Sequence, residues 1–168
     1  MKTPHELKRL FYDKEFIGAV LRCSTLLEAD LDVLLCLFYC RKARVKDALE
    51  KLMPELSFHA KIEMLTAIPI RKNTRSYTVA IGRLRAFRRV RNIVSHQWTT
   101  STVEVEKLCK NGEIAAILDG YPEVMESEFA NCRRALGRLA QTREFRLEDG
   151  KHFDAYARWS LTIDKVFD

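Results

Sequence analysis

Between Glu15 and Cys40 the residues Phe16, Val20, Leu27, Leu31, Leu34, Leu35 and Phe38 recur at the spacing of one helix face. A helix of that length with so wide an apolar stripe has to be buried against other elements. This constrains the chain more than any other feature of the sequence. Gly and Pro are scarce, at 6 and 4 residues, which disfavours a fold of many short strands and tight turns. The expectation is a mainly α fold. At 168 residues and 47% hydrophobic the chain is long and apolar enough for one real core. It reads as a single domain over residues 1–168, with a core of about 15–140 and a helical C-terminal extension of about 145–168.

Further helices flank this one. Thr3-Pro4-His5-Glu6 is a helix start, with Thr3 as N-cap, Pro4 in the first turn and Glu6 completing a capping box, leading a helix to about Tyr12. Arg41 to Leu52 is basic and amphipathic, and Pro54 ends it. Ser57 caps a helix carrying Phe58, Ile62, Leu65 and Ile68, which Pro69 stops. Thr78 to His96 reads as one long helix with Val79, Leu84, Phe87, Val90 and Val94 inward. Asn111-Gly112 is a two-residue hairpin signal, so Val103–Leu108 and Glu113–Leu118 are expected to pair as a small β-hairpin, although Glu113–Leu118 also suits the start of a helix. A helix opening at Pro122 carries Val124, Met125, Phe129, Leu136 and Leu139 to about Thr142. Phe153–Phe167 suits a last amphipathic helix.

The formal charge of +6 says less than its placement. From Met64 to Val103 there is no Asp or Glu, while Arg71, Lys72, Arg75, Arg83, Arg85, Arg88, Arg89 and Arg91 all fall there. A one-signed stretch attracts polyanions, phosphate backbones above all. The alternative is a basic face that pairs with acids from elsewhere in the chain. The cysteines are odd in number, at five, and form no Cys-x-x-Cys, which suits buried reduced thiols in a cytoplasmic protein. The polar N-terminus does not resemble a secretory signal. The closest approach to a membrane span, Leu31 to Cys40, falls short of the roughly 18 residues needed and sits in a helix with Glu28, Asp30 and Asp32, so no membrane partner is expected. His5, His59, His96 and His152 are scattered without ligand spacing, so neither a metal nor another cofactor is expected.

The chemistry gathers at the end of the long basic helix. With residues advancing about 100° each, Arg91, Ser95, Arg88, Asn92, Arg85 and His96 share one polar sector about 140° wide. Val79, Val90, Val94 and Phe87 largely lie elsewhere. Such a sector suits RNA cleavage by the RNA's own 2′-hydroxyl. An imidazole takes that proton or supplies one to the leaving oxygen. A guanidinium grips the phosphate and offsets the charge that builds up in the transition state. The competing structural reading makes His96 a helix C-terminal residue that favours the helix dipole, with solvated arginines beside it.

The run Arg91-Asn92-Ile93-Val94-Ser95-His96 resembles the R-x4-H signature of the HEPN superfamily, in its R-N-x-x-x-H form. Leu26-Leu27-Glu28-Ala29-Asp30-Leu31-Asp32-Val33-Leu34-Leu35 resembles the earlier leucine-rich helix with its acidic residue. Phe58-His59-Ala60-Lys61-Ile62-Glu63-Met64-Leu65 is similar to the intervening helix of small branches of mannitol-repressor and toxin type. The resemblance implies an up-and-down helical bundle and a homodimer with two motifs facing each other. It implies a metal-independent endoribonuclease for single-stranded RNA, a toxin or antiviral-defence effector with an antitoxin or defence-system partner. It gives Arg91, His96 and Asn92 as catalytic residues and Glu28 as a supporting one; the polar sector adds Ser95 in support, the basic stretch adds Arg85, Arg88 and Arg89 as RNA-binding residues, and Trp98 joins these as an aromatic. Glu28 either orients Arg91 or His96 or lies on the exposed edge with Asp32. Toxins of this family that are silenced by modification carry Tyr two residues after the His. Trp98 stands there, which argues against that form of control. Trp98 either stacks on a base or packs inside the protein. Two rival functions remain: a HEPN dimer without catalysis, acting as regulator or adaptor, and a generic basic nucleic-acid binder.

Overall fold

The computed structural model describes residues 4–68, 72, 74–95, 107 and 110–140. Over these the chain is a mainly helical bundle, and no strand occurs among them. Helix α1 spans Pro4–Leu10, and α2 spans Lys14–Tyr39. The expected N-cap Thr3 lies outside the described residues. Asp13 starts α2, its side chain accepting from the backbone N–H of Glu15 at 2.8 Å and of Phe16 at 3.2 Å. Those amides have no partner inside the helix, and the cap supplies one.

Residues 42–55 pass through short turns of three kinds: a 3-10 turn at Lys42–Arg44, the single α-turn α3 at Val45–Asp47, a π-turn at Ala48–Leu52 and a 3-10 turn at Met53–Glu55. The amphipathic pattern of this stretch thus yields no continuous helix. Helix α4, Phe58–Ala67, is capped by Ser57, whose Oγ accepts from the Ala60 amide at 3.1 Å. Helix α5 spans Arg75–Ser95.

The expected hairpin does not form. Its second arm lies in helix α6, Gly112–Asp119, and Lys107, the described residue of the first arm, is helical too. Asn111 takes a role other than hairpin turn: its side-chain oxygen accepts from the Ile114 amide at 3.3 Å and so caps α6. The apolar residues Ile114, Ile117 and Leu118 are fully buried at helical spacing, so tertiary packing rewards the helix over the strand. A tight turn follows. At Gly120 an added Cβ would run into the Val124 side chain, so only glycine allows this approach. Helix α7 then covers Glu123–Ala140. The expected helix at Phe153–Phe167 lies outside the described residues.

Helix α2 is the centre of the bundle. It packs on α4, α5 and α7, and α5 and α7 lie closely against each other. The stripe Phe16, Val20, Leu27, Leu31, Leu34 and Leu35 is buried in one core with Phe58, Ile62, Leu65, Leu84, Phe87, Val90, Met125 and Leu136. Each such side chain contributes about 1.5–3 kcal/mol on leaving water. Val124, expected in this core, is instead exposed. No described helix is long and apolar enough to cross a membrane.

Candidate functional site

The expected functional residues of α5 lie on its outward side. Buried on this helix are Ala80, Ile81, Leu84, Ala86, Phe87, Val90 and Val94. Arg85, Arg89, Asn92 and Ser95 are exposed, and Arg88 and Arg91 are partly buried. The described members of the polar sector thus share one side of α5, with Arg88 and Arg91 at its partly buried edge. Helix α5 is described up to Ser95. His96 and Trp98 lie outside the described residues.

Arg91 is held from two other helices. Its Nη1 donates to Glu28 Oε2 on α2 at 2.7 Å. Its guanidinium carbon stands 5.9 Å from the ring centre of Phe58 on α4. Both contacts favour a cation. Glu28 is therefore not on an exposed edge with Asp32. Their side chains retain 19% and 18% of their surface. Arg91 keeps 34%, so its charge is anchored yet reaches the surface.

Behind this pair stands Lys61, which the sequence reading assigned no role. Its side chain is 3% exposed. Nζ donates to Glu28 Oε1 at 2.9 Å and to Asp32 Oδ2 at 2.9 Å, with Asp32 Oδ1 at 2.8 Å. Glu28 thus bridges two cations, one oxygen to each. Burial pushes the Asp32 carboxyl above its usual range, the Lys61 ammonium pulls it back, and Glu28 raises it again. Sequence spacing did carry a signal for Lys61. It sits within the apolar series 58, 61, 62, 65 of α4, where a charged residue has to be buried and hence paired.

Asp30 obeys the same rule within the series 27, 30, 31, 34 of α2. Only 2% exposed, it accepts from Arg133 Nε on α7 at 2.9 Å. Burial raises its carboxyl above the ordinary range, and Arg133 opposes that rise.

The acid-free stretch of sequence is less one-sided in space. Glu28 reaches Arg91, Glu63 of α4 reaches Arg85 at 3.5 Å, and Glu128 of α7 pairs with Arg83. Arg75 and Arg89 are exposed. Arg88 is partly buried, and its Nε has no hydrogen-bond partner among the described residues. Among the described residues no cluster of three or more His, Cys, Asp or Glu could hold a metal ion.

Comparison with protein-family models, curated proteins and solved structures finds no match for this chain.

Proposed function

We propose that the protein is a HEPN-type endoribonuclease that cleaves single-stranded RNA without a metal, at a site composed across a homodimer. The observation that carries the reading is Arg91: a guanidinium docked on Glu28 and Phe58, partly exposed, on a helix strip shared with Asn92 and Ser95. A positioned guanidinium of this kind is what a scissile phosphate requires, because it needs no rearrangement as charge builds up. His96, which follows Ser95 in the sequence, is the general acid or base. Asn92 hydrogen-bonds across the dimer or holds His96, and Ser95 supports the same strip. Arg88 and Arg89 steer the RNA backbone together with Arg85, and Trp98 stacks on a base. Two-fold symmetry supplies a second Arg91 and a second His96, and so both an acid and a base. A role as toxin or defence effector with a cognate partner follows from the same reading.

The deciding experiment incubates the purified protein with varied single-stranded RNAs in EDTA. Cleavage products ending in a 2′,3′-cyclic phosphate are expected, and His96→Ala is expected to abolish them with the fold retained. A folded, dimeric wild type that leaves every RNA intact would sink the reading. One observation favours the second reading, a HEPN dimer acting as regulator or adaptor: Arg91 already has a carboxylate partner within its own chain. In that case Arg91→Ala and His96→Ala leave the protein's partners unchanged in pull-down and RNA is untouched throughout.

A further inference from the structure

We infer that Lys61 is a positioning residue for Arg91, acting through the Glu28 carboxylate. The catalytic consequence rests on the ribonuclease reading above, but the positioning itself does not. Lys61 lies on α4, Arg91 on α5 and Glu28 on α2, so one carboxylate fixes the mutual placement of three helices at the site.

The geometry assigns each oxygen of Glu28 its own donor: Oε1 takes Lys61 Nζ at 2.9 Å, and Oε2 takes Arg91 Nη1 at 2.7 Å. Rotation of the carboxylate would break both bonds, so the Lys61 contact locks the orientation that Arg91 uses. Charge makes the second argument. Glu28 and Asp32 stand one turn apart on α2, where like charges repel. Lys61 touches both. With it, two cations face two carboxylates and the outward guanidinium keeps its pull on an anion. Without it, two carboxylates share Arg91, and the site repels phosphate or takes up a proton and loses its geometry. The plainer view makes Lys61 a staple between α4 and α2 alone. A staple explains the Asp32 contact, but gives no reason for Lys61 to share a carboxylate with the residue that faces the solvent.

The test compares wild type, Lys61→Met and Lys61→Arg. The Arg91 Nε–Hε signal is followed by NMR, assigned by its loss in Arg91→Lys, and cleavage of a single-stranded RNA is measured in parallel. In Lys61→Met the Arg91 signal is expected to show faster solvent exchange and greater mobility. kcat is expected to fall about tenfold to a hundredfold, as for a displaced catalytic group. Lys61→Arg, which keeps the charge and the donors, is expected to recover most of both. Because Lys61→Met strands Asp32, it is paired with Lys61→Met/Asp32→Leu, in which an apolar pair replaces the ion pair and preserves folding. That variant still deprives Glu28 Oε1 of its donor, so Arg91 is again expected to loosen. An Arg91 signal as ordered in the folded double variant as in wild type would overturn the inference. A wild type inert on RNA overturns the ribonuclease reading instead, and the mobility comparison still decides the role of Lys61.

Discussion

Arg91 is held by Glu28 and Phe58 yet reaches the surface, and its loss is expected to be costly. Arg91→Ala removes a preorganised cation and is expected to lower kcat/KM on RNA by about 10²–10³-fold. Arg91→Lys keeps the charge but loses the planar fork, so it is expected to recover only part of this loss. Steady-state kinetics on one RNA substrate checks both. The thiols supply a prediction of a different kind. Burial pushes Cys23 up to about 11 and Cys36 up to about 12, the latter also through its neighbour Cys40, and it raises buried Cys132 as well. A raised thiol pKa leaves less thiolate at any working pH, and the thiolate is the reactive form. At pH 8 these three are therefore expected to resist iodoacetamide in the native protein and to react once it is unfolded. Peptide mass spectrometry identifies the sites. Rapid labelling of Cys36 in the native protein would mean that its surroundings are wetter than this packing.

Each helix depends on a few side chains that end it or bind it to a neighbour. Asp13 caps α2 with two hydrogen bonds, so Asp13→Ala is expected to cost about 1 kcal/mol in urea denaturation. Lys61 binds α4 to α2 from a nearly inaccessible position. Its replacement by Met leaves carboxylates without their cation and is expected to cost about 3–5 kcal/mol, whereas Lys61→Met/Asp32→Leu is expected to be close to neutral. If the double variant is as unstable as the single one, burial of charge is not the source of the loss. Leu27, fully buried where α2 meets its neighbours, is expected to cost about 2–5 kcal/mol on truncation to Ala. These variants separate what builds the bundle from what builds the site: only the Lys61 variants are expected to alter Arg91.

At the scale of the whole molecule the proposed site depends on association. A site shared by two chains loses activity when the dimer dissociates, so specific activity is expected to fall on dilution in step with the dimer fraction measured by analytical ultracentrifugation. Constant specific activity in a monomeric sample would place both catalytic groups within one chain. Binding of uncleaved RNA by His96→Ala is expected to weaken steeply with salt, because the proposed function puts Arg88 and Arg89 against phosphates. Arg83 is expected to add little to that slope, since Glu128 already engages it.

Much of this was legible in the residues, and the exceptions have physical causes. The spacing of Phe16, Val20, Leu27, Leu31, Leu34 and Leu35 determined α2 and its inner face, and the same periodicity determined α5 with its outward strip of Arg85, Arg88, Asn92 and Ser95. Local capping by Ser57 was equally readable, because a cap is decided by neighbours in sequence. Asn111-Gly112 misled because a turn signal is local, whereas the burial of Ile114, Ile117 and Leu118 that made α6 helical is not. Residues 42–55 carried an amphipathic pattern yet broke into short turns, and the pattern gave no sign of that. The acid-free stretch around Arg91 was a true property of the sequence. Which of its arginines remain available was decided only by tertiary structure, where α2, α4 and α7 bring Glu28, Glu63 and Glu128 against three of them. Charges act through space, and helix packing alone sets those distances.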